Sequence, residues 1–195
     1  TSGCIHYTFW KCRLIQQAMK TLLLGLVLGI ALVCIGGYVY FSQGFAPVAT
    51  AAPPMPFEAM MANMALHTRI AKEAPSGVPV PADETNLMAG AQLYGEHCAI
   101  CHGLTGRPET AIAKGMFPKP PQLFQGPGVT DDPLGETFWK AKNGIRLTGM
   151  PGFGASLSEQ QLWQVSLLLA HADKLPPGVQ KVLDGAPAVS HPAQH

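Results

Sequence analysis

The chain has 195 residues, with 13 Lys/Arg against 12 Asp/Glu and a formal net charge of +1. That balance supplies no basic field for a phosphate backbone, so a nucleic-acid partner is not expected. The length suits one modest domain with appendages, and the 18 prolines gather outside the periodic segments, where they mark linkers and loops.

Residues 1–20 form a short basic segment, and residues 1–18 show no clear hydrophobic period. Met19-Lys20-Thr21 reads as a translation start ahead of an export signal; otherwise the preceding residues are a short cytoplasmic tail. Residues 22–41 carry no charged side chain. At 1.5 Å per residue those 20 residues reach across a hydrocarbon core of about 30 Å. The expected anchor is therefore residues 21–41. Lys11, Arg13 and Lys20 precede it, and no basic residue follows before Arg69. The asymmetry places the N-terminus inside and the rest outside, tethered to the membrane on its periplasmic face. The rival reading is a signal peptide cleaved at Ala49-Thr50-Ala51, which would leave a soluble periplasmic protein.

Residues 42–82 read as linker, rich in Ala and Pro, interrupted by a short helix over residues 57–72. Met60, Met64 and His67 on that helix are a conceivable soft-metal donor set for copper, but methionines at helical spacing are expected to be packing residues. The compact domain is expected over residues 83–184, followed by a mobile tail at 185–195.

Its first helix should start at Glu84 or Thr85 and end at His97. Leu87, Ala91, Tyr94 and Cys98 follow helical spacing, and Gly90 on the same side would admit a close helix neighbour. The stripe leads into Cys98-Ala99-Ile100-Cys101-His102. Two thiols three positions apart fit on one helical turn, and the histidine follows the second directly. This C-x-x-C-H pattern signals covalent attachment of one haem c through Cys98 and Cys101, with His102 as proximal iron ligand. A thioredoxin-type pair would follow a strand, and a structural zinc site would need two further nearby ligands. Cys4, Cys12 and Cys34 lie far upstream and supply neither.

Residues 103–130 have little periodicity and read as a long loop, a length that calls for a function such as wrapping a cofactor. A middle helix is expected over residues 133–143, offering Phe138 and Trp139 to the core and stopping at Asn143-Gly144. Met150 then lies in a glycine-rich loop before Pro151. The proline disfavours a helical backbone at Met150, and Gly149 and Gly152 permit close approach to a flat ring. Met150 is accordingly the expected second iron ligand, with His171 and Met116 as rivals. In the last helix, Ser158-Glu159-Gln160-Gln161 fits a capping box, Leu162, Val165, Leu169 and Ala172 form the buried stripe, and Lys174 sits in the last turn before Pro176-Pro177.

A helix entering C-x-x-C-H, a wrapping loop, Thr148-Gly149-Met150-Pro151 and a capped terminal helix resemble class I cytochrome c over about half the chain. The resemblance implies a small all-α domain wrapped around one covalent haem, with its first and last helices crossing. In that family Gly90 and Tyr94 would be helix contacts, and a proline carbonyl from Phe117-Pro118-Lys119-Pro120-Pro121 would orient the histidine ring. It also implies one-electron transfer between redox partner proteins rather than catalysis on a small-molecule substrate. Alternative readings are a cytochrome subunit of a dehydrogenase or terminal oxidase complex, and a haem sensor or peroxidase with an open iron position. Between residues 84 and 184 there are eight Lys/Arg and nine Asp/Glu, so no strongly basic face is expected.

Overall fold

A computed structural model describes residues 2–125 and 131–186, with side chains from residue 13 onward. Part of the expected wrapping loop, residues 126–130, and the tail from residue 187 lie outside the described residues. The described residues are helical. They contain no strand, only one isolated antiparallel bridge between Ile145 and Met150.

The chain divides into two compact units, Thr1–Val48 and Ala49–His195. The first is dominated by helix α1, Ser2–Ser42, which absorbs the stretch that showed no period. No proline interrupts the chain before Pro47, and extending an existing helix is far cheaper than nucleating one. Within α1, Arg13–Ser42 is long and apolar enough to cross a membrane.

In the second unit, helix α2 (Glu58–Glu73) matches the expected short helix to within a residue at each end. Its methionines do not pack as expected. Met60, Met61 and Met64 are 60, 61 and 64% exposed, whereas Ile70 on the other side is buried. The C-terminal end of α2 instead docks through Ile70 and Glu73, whose carboxylate accepts the Trp139 indole N–H at 3.1 Å. The Pro-rich segment that follows is also held. A Cβ on Gly135 would lie 1.9 Å from the Pro75 carbonyl oxygen, and Val80 packs against both hydrophobic clusters.

Helix α3 (Glu84–His97) is capped by Asp83, whose side chain accepts the Asn86 N–H. It is followed by a one-turn helix α4 (Ala99–His102) and a short α5 (Ala111–Gly115), capped by Thr110 within the expected loop. Helix α6 (Leu134–Asn143) ends at Gly144, and α7 (Glu159–Ala170) starts with both halves of the Ser158/Gln161 capping box. An unexpected α8 (Pro177–Gly185) begins on the proline pair read as a stop, since proline is favourable in a first helical turn. It buries Val179 and Leu183 against α3.

The core sits where α3 crosses α7. A Cβ at Gly90 would lie 2.3 Å from the Gln164 carbonyl oxygen, so the two backbones touch there. Every residue of α7 from Leu162 to Leu169 is buried, a wider buried surface than the expected stripe. Two polar members are satisfied: Ser166 Oγ donates to Leu162 O at 2.8 Å, and Gln164 Nε2 donates to Asn86 Oδ1 at 2.9 Å. Ala172 and Lys174 fall beyond the helix end. On the other side of α7, Phe138 of α6 stacks on Trp163 with ring centroids 4.1 Å apart.

Candidate functional site

Helix α3 delivers its apolar stripe to the cysteine turn. Leu87, Ala91 and Tyr94 are buried, and Cys98 packs against the same cluster. Cys98 then caps α4: its carbonyl accepts the N–H groups of Cys101 at 3.1 Å and His102 at 2.9 Å. Both thiols and the imidazole are thus carried by a single turn. The two thiols are free of each other, and a helix rather than a strand precedes them, unlike the thioredoxin arrangement. Burial, reinforced by the neighbouring Cys101 thiol, pushes the Cys98 thiol up to about 12, and burial raises Cys101 as well. Neither is poised as a thiolate nucleophile.

His102 is fixed from a distant segment. Its Nδ1 lies 2.9 Å from the Pro121 carbonyl oxygen. A carbonyl only accepts, so Nδ1 carries the proton and the Nε2 lone pair is left available. Burial lowers the His102 pKa, partly offset by the Pro121 hydrogen bond, which favours the neutral imidazole a metal requires. Of the prolines in the 117–121 run, it is therefore Pro121 that meets the histidine.

The residues beside Pro121 complete a clamp that the sequence alone did not single out. Gln122 Nε2 donates to Cys101 O at 3.1 Å, and Leu123 N–H donates to His102 O at 3.2 Å. These bonds occupy carbonyls that the end of the short α4 would leave open. Gly103, at φ +71°, makes room: a Cβ there would lie 2.1 Å from Gln122 Oε1. Tyr94, fully buried, donates its hydroxyl to Gly103 O at 2.9 Å and meets Phe124 edge-on. Thr110 Oγ donates to Ile100 O at 2.5 Å. Every residue from Ile100 to Gly103 is therefore bonded to a segment outside the turn. No local pattern marks Gln122, because its role depends on a contact 21 positions away.

Met150 is half-buried in a separate loop. Its carbonyl accepts the Ile145 N–H at 3.1 Å, and its own N–H is bonded to Thr148 Oγ at 3.2 Å. Gly144 and Gly149 both have positive φ. At Gly144 a Cβ would lie 2.5 Å from Gly152 N, and at Gly149 one would lie 2.8 Å from Met116 Cε. Met116, one of the rival ligands, is thus brought to the same loop. The other, His171, is half-buried at the end of α7 with Nδ1 2.8 Å from Leu167 O. Among the described residues no hydrogen bond joins the Met150 loop to the cysteine turn. The nearby cations are mostly paired: Lys140 with Glu136 at 2.6 Å and Lys142 with Glu159 at 2.6 Å. Arg146 and Leu147 are exposed, and Leu147 is held at φ +64°.

One turn thus carries a neutral imidazole whose Nδ1–H is already bonded, suited to hold a metal through Nε2, together with two uncombined thiols, while the Met150 thioether lies in a separate glycine-shaped loop. Residues 85–167 match the family model described as cytochrome c oxidase, cbb3-type, subunit III. Over 89 residues the chain is 31% identical to quinohemoprotein alcohol dehydrogenase ADH IIB of Pseudomonas putida, covering 46% of this chain. The chain spans only 11% of that relative's length. A chain of the reducing HAO-like protein complex of Kuenenia stuttgartiensis aligns with a TM-score of 0.44 and 21% identity, over 63% of this chain and 52% of that one. The segment matched by the family model contains the cysteine turn, the Met150 loop and the α3–α7 crossing, and over that segment the chain carries a cytochrome c domain.

Proposed function

We propose that residues 83–184 form a monohaem electron carrier, with the haem joined to Cys98 and Cys101 and its iron held by His102 and Met150. Haem bound this way supplies reversible one-electron exchange between ferrous and ferric iron. Cys98 and Cys101 would hold the haem covalently through their sulfurs and would then no longer be titratable thiols. His102 presents Nε2 while its Nδ1–H is bonded to Pro121 O, which fixes ring orientation and strengthens the donor. Met150 supplies a thioether sulfur, a ligand that raises the potential relative to two imidazoles. With both positions taken, the domain passes electrons without binding a small-molecule substrate.

The observation that carries this reading is the 2.9 Å contact from His102 Nδ1 to Pro121 O on the turn that also bears both thiols. Its test is mass spectrometry of the denatured chain, which should retain the mass of one haem. Complete loss of haem into acidified organic solvent would refute covalent attachment.

Residues 21–41 are the proposed anchor, holding the haem domain on the outer side of the membrane. The apolar length of α1 and the basic residues before it support this, and membranes washed with carbonate should retain the protein. A mature N-terminus near Ala52 would instead establish cleavage and a soluble periplasmic form. A second reading is a cytochrome subunit of a larger oxidoreductase. It is favoured by the matched family model, described for an oxidase subunit, and by the dehydrogenase relative. Copurification of a stable catalytic subunit from native membranes would support it.

A further inference from the structure

Helix α2 has two apolar sides, and only one of them is used within the second unit. Leu66 and Ile70 share one side with Glu73, which is bonded to Trp139. About 150° around the helix lie Met60, Met61 and Met64, next to Phe57 at the N-cap, following a 100° step per residue. These four are 60 to 70% exposed. The helix cannot turn that side inward without withdrawing Ile70 from its buried position and breaking the Glu73–Trp139 bond. A contiguous set of large apolar side chains of this kind marks an interaction surface.

The cation next to the outer side is Lys72. Its neighbours on the helical wheel are His67, Thr68, Ala71 and Lys72; Glu73 falls on the other side, and Glu58, the first residue of the helix, lies between the two sides. An apolar stripe flanked by neutral and basic groups is the pattern of a helix lying in a lipid headgroup region. The chain itself brings such a surface within reach. Only 15 residues, 43–57, separate the end of α1 from the helix, a span of at most about 54 Å when fully extended. Tyr38 and Tyr40 near the end of α1 are of the amphipathic aromatic type that prefers the membrane–water interface.

We infer that the Phe57–Met60–Met61–Met64 side of α2 lies in the outer leaflet of the membrane. The helix is then a second, peripheral contact that sets which face of the haem domain points away from the lipid. Docking through α2 fixes orientation, because the other side of the helix is joined to α6 by packing and hydrogen bonding. The inference rests on α1 being embedded, and a single experiment separates the two. The full holo chain is placed in vesicles of phosphatidylcholine and phosphatidylglycerol with a trace of phosphatidylcholine bearing a diazirine on its acyl chain. It is then irradiated, digested and mapped by mass spectrometry. Labelled peptides are expected from both α1 and residues 57–64. In a Met60→Ser, Met61→Ser, Met64→Ser variant the α2 label should fall about tenfold or more, with the α1 label unchanged. Label in α1 but none in α2 would overturn the docking and leave the anchor standing. Equal α2 labelling in the variant would show mere nearness of the tether and also overturn it. Absence of label from both would refute the anchor, and the inference with it.

Discussion

Replacing Gly90 by alanine tests the central packing claim, because two effects of opposite sign are predicted at one atom. On an isolated helix the change should stabilise by about 1 kcal/mol, since glycine loses more backbone freedom on folding. In this fold the added methyl carbon would lie 2.3 Å from Gln164 O, 2.8 Å from Gln164 C and 3.2 Å from Leu168 Cβ. Ordinary contact begins near 3.4 Å, so α3 and α7 must part by about 1 Å at their crossing. The two closest atoms belong to helix backbone, and no flexible side chain is available to yield. Overpacking of this kind costs about 1–3 kcal/mol, occasionally more, and here it also loosens the packing of Ala91, Tyr94 and Leu168, all buried. The upper part of that range applies, giving a net loss of about 2 kcal/mol. For a domain of this size that corresponds to a fall of roughly 10 °C in Tm. Thermal unfolding of the holo protein followed by far-UV circular dichroism measures it directly. Gly115→Ala is the control: nothing lies within 4 Å of its added carbon, so stability should stay level or rise by a few tenths of a kcal/mol. A Gly90→Ala protein as stable as the parent would refute the close α3–α7 crossing.

Met150→Ala should abolish the weak red charge-transfer band of a methionine–iron bond, lower the potential and admit carbon monoxide to the ferrous iron, with covalent haem retained. An unchanged spectrum and potential would move the ligand to Met116 or His171. Gln122→Ala leaves the Cys101 carbonyl without its side-chain partner at a cost of about 1–2 kcal/mol. By loosening Pro121 it should also weaken the Nδ1–H bond and raise the potential. Redox titration beside denaturant unfolding checks both, and no change in either would remove Gln122 from a positioning role. Gly135→Ala places a methyl carbon against Pro75 O and should speed amide exchange across residues 70–80, measured by mass spectrometry. A haem spectrum altered by that substitution would contradict the separation of this contact from the cysteine turn.

The helices around the site were legible in the sequence because their signals are local. The stripe from Leu87 to Cys98 predicted α3, the Ser158/Gln161 box predicted the start of α7, and Asn143-Gly144 marked the end of α6. Each rests on side chains within one or two turns of each other, so nearby residues suffice to fix it. The cysteine turn was legible for the same reason, as was the need for a small residue at Gly90. Which surfaces meet was decided by the tertiary structure. Pro120 and Pro121 both lie in the run expected to face the histidine, and only the path of the loop selects Pro121. Gln122 gains its partner only when residue 101 comes alongside. A proline pair that reads as a stop becomes the start of α8 because α3 offers Val179 and Leu183 somewhere to be buried. The methionines of α2 show the limit most clearly. Helical spacing places Met60 and Met64 on one side, but Ile70 and Glu73 commit the opposite side to the domain. Periodicity determines which residues share a face, and only long-range packing determines what that face meets.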